Sequence, residues 1–230
     1  MLKKATGNMS CDGETGKTSS KIKSKKTPTE SMLSKVNRLL GINESYKAPE
    51  RVMEIISNKD MTKEVFQNFL PEFDYDLSYE WFNGYFEDEH ADRKNKKQDF
   101  TPTCVSRLIA ELNGDEPQYG IIYEPAAGTG STVIAHWYTE CRKHRFPWDY
   151  NPGNYLYFCE ELSDRTIPFL LFNLLIRGIN AVVVHGDCLT REAKEVYHCD
   201  NVQNSLMCFS ELKVLPHTKE VEKVCNVKFI

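Results

Sequence analysis

The sequence predicts an α/β fold, a doubly wound parallel sheet preceded by a helical region, and three observations carry that prediction. From residue 100 onward, short apolar runs alternate with longer helical ones. The first short run leads into Glu124-Pro125-Ala126-Ala127-Gly128-Thr129-Gly130, directly before a helical stretch. Between residues 31 and 95, apolar residues recur mostly at helical spacing.

Composition sets the bounds. A chain of 230 residues with 40% hydrophobic content suits one α/β domain of ordinary size plus appendages. No apolar run reaches the roughly eighteen residues of a membrane span, and Lys3 and Lys4 are not followed by the apolar stretch of a secretory signal, so a cytoplasmic protein off the membrane is expected. The eight cysteines form no C-x-x-C pair, which predicts reduced and mostly buried thiols. Cys188, Cys199, Cys208 and His198 are the conceivable zinc donors, but their spacing matches neither finger nor ribbon, and no metal is expected. A net charge of -4 excludes binding of nucleic acid over the whole surface. Residues 1–30, rich in Lys, Ser, Thr and Gly and poor in large apolar residues, read as a disordered basic tail.

The elements follow in order. A helix is predicted over 31–40, where Met32, Val36, Leu39 and Leu40 share a face and Gly41 stands at the C-cap. Two more are predicted over 49–56 and over 61–70, the latter capped by Asp60 and ended by Pro71. In the aromatic stretch 73–90, Leu77, Trp81 and Tyr85 lie at helical spacing, so core packing is favoured over base stacking, the more so because Glu80, Glu87, Asp88 and Glu89 repel phosphate. Strands are predicted over 119–123, 155–159, 181–185 and 195–199, with helices over 131–143 and 164–177 and a Pro- and Gly-containing loop over 145–154. The resulting organisation is a tail (1–30), a helical region (31–95) and an α/β domain (96–230).

Three acids follow three consecutive strands. Glu124 opens the glycine loop, where Ala126, Gly128 and Gly130 let a ligand approach the backbone at a helix N-terminus. Glu161 ends the second strand, a place from which a carboxylate accepts hydrogen bonds from both hydroxyls of a ribose; Asp187 ends the third, within reach of an adenine amino group. Each is weak alone, since acids also cap helices and Gly-Asp is an ordinary turn. Joint placement around one crevice makes them a candidate nucleoside site.

With Asp99-Phe100-Thr101-Pro102 before a helix, then EPAAGTGS, CEELSD, FNLLIRGIN and HGDCL in order, the sequence resembles adenine-specific DNA methyltransferases, in particular the modification subunit of type I restriction systems. The likeness covers residues 95–190. It implies a Rossmann-like, S-adenosylmethionine-dependent methyltransferase fold, with the cofactor held by Phe100, Thr101, Pro102, Glu124, Ala126, Gly128, Gly130, Glu161 and Asp187, and with DNA as partner.

That family carries Asn or Asp, Pro, Pro, and Tyr or Phe after its fourth strand, to hold the target amine and stack on a flipped base. No such tetrad occurs in this sequence. The nearest substitute after the expected fourth strand is Asp200 and Asn201, which become the candidate catalytic residues, and a fold truncated or atypical at its C-terminus is expected. Two readings follow. The chain is an adenine-specific DNA methyltransferase of the restriction-modification kind, or it is a catalytically silent module of that fold serving as a regulatory or decoy partner, with a protein partner supplying target recognition.

Overall fold

In the computed structural model, residues 30–92, 101–112, 116–117 and 119–230 are described. The expected tail, the 95/96 boundary and Phe100 lie outside these residues, save that Glu30 pairs with Arg38 at 3.0 Å.

The helical region begins with α1 (Met32–Leu40), capped by the Ser31 side chain and closed by Gly41 at φ +69°. Next come α2 (Ala48–Ile56) and α3 (Lys59–Glu72). The cap of α3 is Asn58, whose side chain accepts from the amides of Asp60 and Met61, not Asp60 as the sequence suggested. Pro71 sits in the last turn of α3 instead of ending it. The aromatic stretch is only partly helical: α4 (Asn83–Asp92) starts after an irregular segment that carries Trp81 and Phe82 into the core. Trp81, Phe82, Tyr85 and Phe86 are all buried, whereas Tyr75 is exposed.

The α/β part runs α5 (Thr103–Glu111), β1 (Gly120–Glu124), α6 (Ser131–Lys143), β2 (Tyr155–Glu161), α7 (Ile167–Ile176), β3 (Ala181–Asp187), β4 (Glu192–Asp200), β5 (Glu211–Val214), α8 (Lys219–Cys225) and β6 (Lys228–Phe229). Strands β1, β2 and β3 are parallel neighbours in that order. There the expected parallel sheet ends. β4 returns antiparallel along β3, pairing Asp187 with Glu192 and Ala181 with Cys199, and it pairs antiparallel with β5 and parallel with β6, so the sheet is mixed. The physical reason is connection length. Only Cys188 to Arg191 separate β3 from β4, enough for a hairpin and far too few for a parallel crossover.

One core runs through helical region and sheet, from Val36 and Phe66 through the fully buried α7 to Tyr157 and Cys199. Alternation along the strands assigns this face to Ile122, Tyr157, Val183 and Tyr197. The opposite face carries a smaller cluster of Val184, Val196, Cys225 and Val227 under α8. At the β1 end that second face is bare: Ile121 and Tyr123 are 73% and 54% exposed.

Candidate functional site

Because β1, β2 and β3 are parallel, their C-terminal ends share one edge, and Glu124, Glu161 and Asp187 close the three strands in a row there. Glu124 accepts from the Thr132 hydroxyl at 2.7 Å and the Ala126 amide at 3.4 Å, so it braces the loop against the first turn of α6. Glu161 accepts from the Gly128 amide at 2.9 Å and the Ser163 amide at 2.8 Å. Asp187 accepts from the amides of Leu189 at 2.8 Å and Thr190 at 3.4 Å.

The glycines have backbone reasons. Gly128 and Gly130 stand at φ +56° and +100°, where side-chain-bearing residues are rare. A Cβ at Gly130 would also come within 3.1 Å of Leu170. Gly130 precedes α6 without capping it through a side chain, so the first-turn amides of that helix face the edge where the acids lie. Thr101 is joined to the same place: Asn83 donates to the Thr101 carbonyl at 3.3 Å and the Ser131 hydroxyl at 3.2 Å, and Pro102 is the N-cap residue of α5. Thr101, Glu124, Ala126, Gly128, Gly130, Glu161 and Asp187 therefore surround one end of the sheet.

The pair Glu160-Glu161 shows how the strand sorts two adjacent acids. Glu160 points to the other face, 1% exposed, where its carboxylate receives both a 2.9 Å contact from Arg191 and a 2.8 Å bond from the Tyr123 hydroxyl. That carboxylate holds the Tyr123 phenol protonated beyond its ordinary range and raises Arg191 likewise. Glu161 alone of the two faces the loop.

Asp200 and Asn201 are not at this edge. Since β4 is antiparallel, its end lies beside the start of β3, at the opposite edge of the sheet. Asp200 pairs with Lys213 at 2.5 Å. Asn201 is buried and donates to the carbonyls of Gly178 at 2.9 Å and Ser205 at 2.8 Å, which is a loop-stapling role. The same reversal separates Cys188 from Cys199. Sequence reasoning missed Asn83, Thr129 and Ser131, which contact one another around the loop; the helical spacing assumed for 77–86 hid the irregular segment that delivers Asn83.

A model of the family described as N-6 DNA Methylase matches residues 76–209, more than half of the chain. The chain belongs to this family. No curated protein matches it. N-6 DNA methylases take the methyl group from S-adenosylmethionine and act on DNA. The matched span opens at residue 76, so this N-6 DNA methylase domain includes the segment carrying Glu80 and Asn83 together with the sheet. Among the described residues no helix is long and apolar enough to cross a membrane.

Proposed function

We propose that this chain binds S-adenosylmethionine at the C-terminal edge of β1 to β3 and serves adenine-specific DNA methylation of the restriction-modification kind. The carrying observation is the 2.9 Å bond between Glu161 and the Gly128 amide, which closes the loop of one strand onto the acid of the next. The residues fit the group. Glu161 has accepted two amides and, as a carboxylate, keeps lone pairs for two ribose hydroxyls. Asp187 offers an acceptor for an exocyclic amine, and the uncapped start of α6 favours the carboxylate of the methionine moiety. Thr101 and Pro102 complete the enclosure in this reading, and Phe100 is assigned to the site by the family resemblance alone. Bound there, the cofactor supplies an activated methyl group; the protein's own task is to hold it and exclude water. The test is calorimetric titration with S-adenosylhomocysteine, set against Gly130→Trp. Wild-type binding that the tryptophan abolishes supports the site, and no binding at millimolar ligand rejects it.

A second observation favours the reading in which a partner completes the catalytic centre. Neither Asp200 nor Asn201 reaches the crevice, and β1 pairs with β2 alone among the described strands, leaving an edge flanked by exposed Tyr119, Ile121 and Tyr123. Edge strands ordinarily carry charges or proline against unwanted pairing. On this reading a second polypeptide adds a strand to β1 and brings the groups that hold adenine. Labelled-methyl incorporation into unmethylated DNA by the purified chain decides: robust turnover by the chain alone excludes the need for a partner.

A further inference from the structure

A buried polar chain connects the helical region to the glycine loop. Glu80 is 4% exposed, and its carboxylate accepts from the amides of Phe82 and Asn83, both at 2.6 Å, and from the Asn173 amide group at 2.8 Å. Asn173, fully buried on α7, places its second N–H on the Thr129 carbonyl at 2.8 Å, between the two left-handed glycines. The orientation of that amide is settled by Arg177, which donates to the Asn173 Oδ1 at 2.9 Å and stacks over Trp81 at 5.0 Å. A second arm leaves Asn83, whose Oδ1 accepts from the Thr129 hydroxyl at 3.4 Å while its Nδ2 reaches Thr101 and Ser131.

Burying a carboxylate and a guanidinium is a poor way to gain stability, because apolar side chains of similar volume usually do as well or better. What such a network does is fix positions. The loop it fixes contains two glycines with left-handed φ, the residues with the most conformational freedom to lose when a ligand binds. We infer that Glu80, through Asn173 and Asn83, is a positioning residue of the cofactor site: it holds the Thr129 carbonyl and so presets the Gly128 and Gly130 amides. The inference rests on the cofactor reading above, and it makes the segment 77–83 part of the site through Asn83 and Glu80.

The experiment compares wild type, Glu80→Gln, Asn173→Ala and Asn83→Ala with Leu40→Ala, a buried apolar change at the end of α1. Glutamine presents an N–H where the carboxylate accepted one, so it breaks the network without emptying the space. Affinity for S-adenosylhomocysteine is expected to fall about tenfold or more in the network variants and to stay within about twofold in Leu40→Ala, even where the latter loses as much melting temperature. Amide exchange at Gly128 and Gly130 is read in parallel and is expected to accelerate in the network variants alone. Should Glu80→Gln not fold, the half-buried Asn83→Ala carries the comparison. Unchanged affinity and exchange in the folded network variants, or equal losses in Leu40→Ala, overturn the inference. If wild type itself fails to bind, the cofactor reading is lost, and exchange alone then decides whether Glu80 positions the loop.

Discussion

The Glu161 carboxylate and the Gly128 amide meet at 2.9 Å across the gap between β2 and the loop after β1. One residue thus fixes the backbone of the loop and offers its remaining lone pairs outward. On the proposed cofactor reading, removing it both loosens the loop and deletes the acceptor offered to a ribose. Glu161→Ala is expected to weaken S-adenosylhomocysteine binding about tenfold to a hundredfold, in line with the loss of charge-assisted hydrogen bonds. Titration calorimetry measures this, and an affinity equal to wild type would remove Glu161 from the site.

Asp200 and Asn201 separate in their effects. Asn201→Ala strips donors from the buried carbonyl of Gly178 and the partly buried one of Ser205, so a loss of about 1–3 kcal/mol in unfolding free energy is expected. Asp200→Ala breaks one partly exposed pair with Lys213, and a much smaller change is expected. Both variants should keep wild-type cofactor affinity at temperatures where they are folded. Urea denaturation and titration on the same preparations check the pair, and a selective loss of binding in either would contradict their placement at the far edge.

Glu80 predicts a pH dependence. Burial outweighs its hydrogen bonds from Phe82, Asn173 and Asn83 and the attraction of Arg177, and pushes its pKa up to about 7 from 4.5. The folded protein therefore holds a proton that the unfolded chain has released between those values. The contribution of Glu80 to stability accordingly falls as pH rises from 4.5 to 7 and is level above, a change on the order of 3 kcal/mol. The difference in unfolding free energy between wild type and Glu80→Gln, followed from pH 4.5 to 8, isolates this residue. A flat difference would show that the carboxylate ionises normally.

Ile121 lies on the bare face of β1, 73% exposed. Ile121→Lys should leave the melting temperature of the isolated chain within a degree or two and reduce its self-association at high concentration, read by light scattering. Loss of several degrees would mean that this side chain is packed in the isolated protein.

Much of this molecule follows from local pattern. The helix over 131–143, the strand starts at Tyr155 and Ala181 and the Gly41 cap follow from apolar periodicity and turn chemistry, which act within a few residues and survive in a single sequence. The row of acids was legible for the same reason: each directly follows an apolar strand, and parallel strands bring their ends together.

What needed tertiary structure is whatever depends on direction and on distant partners. The alternation of β4 looks the same whether it runs parallel or antiparallel, yet that choice moved Asp200 and Asn201 to the far edge; only the four-residue connection after Asp187 hinted at it. Which of the adjacent acids Glu160 and Glu161 faces the glycine loop is likewise decided by distant partners, since Arg191 and Tyr123 hold Glu160 on the other face of the sheet. Glu80 sits 93 residues from Asn173, and nothing in the local sequence couples them. Periodicity reports which face of an element is apolar; a buried polar contact between remote elements leaves no period, so only the folded chain decides it.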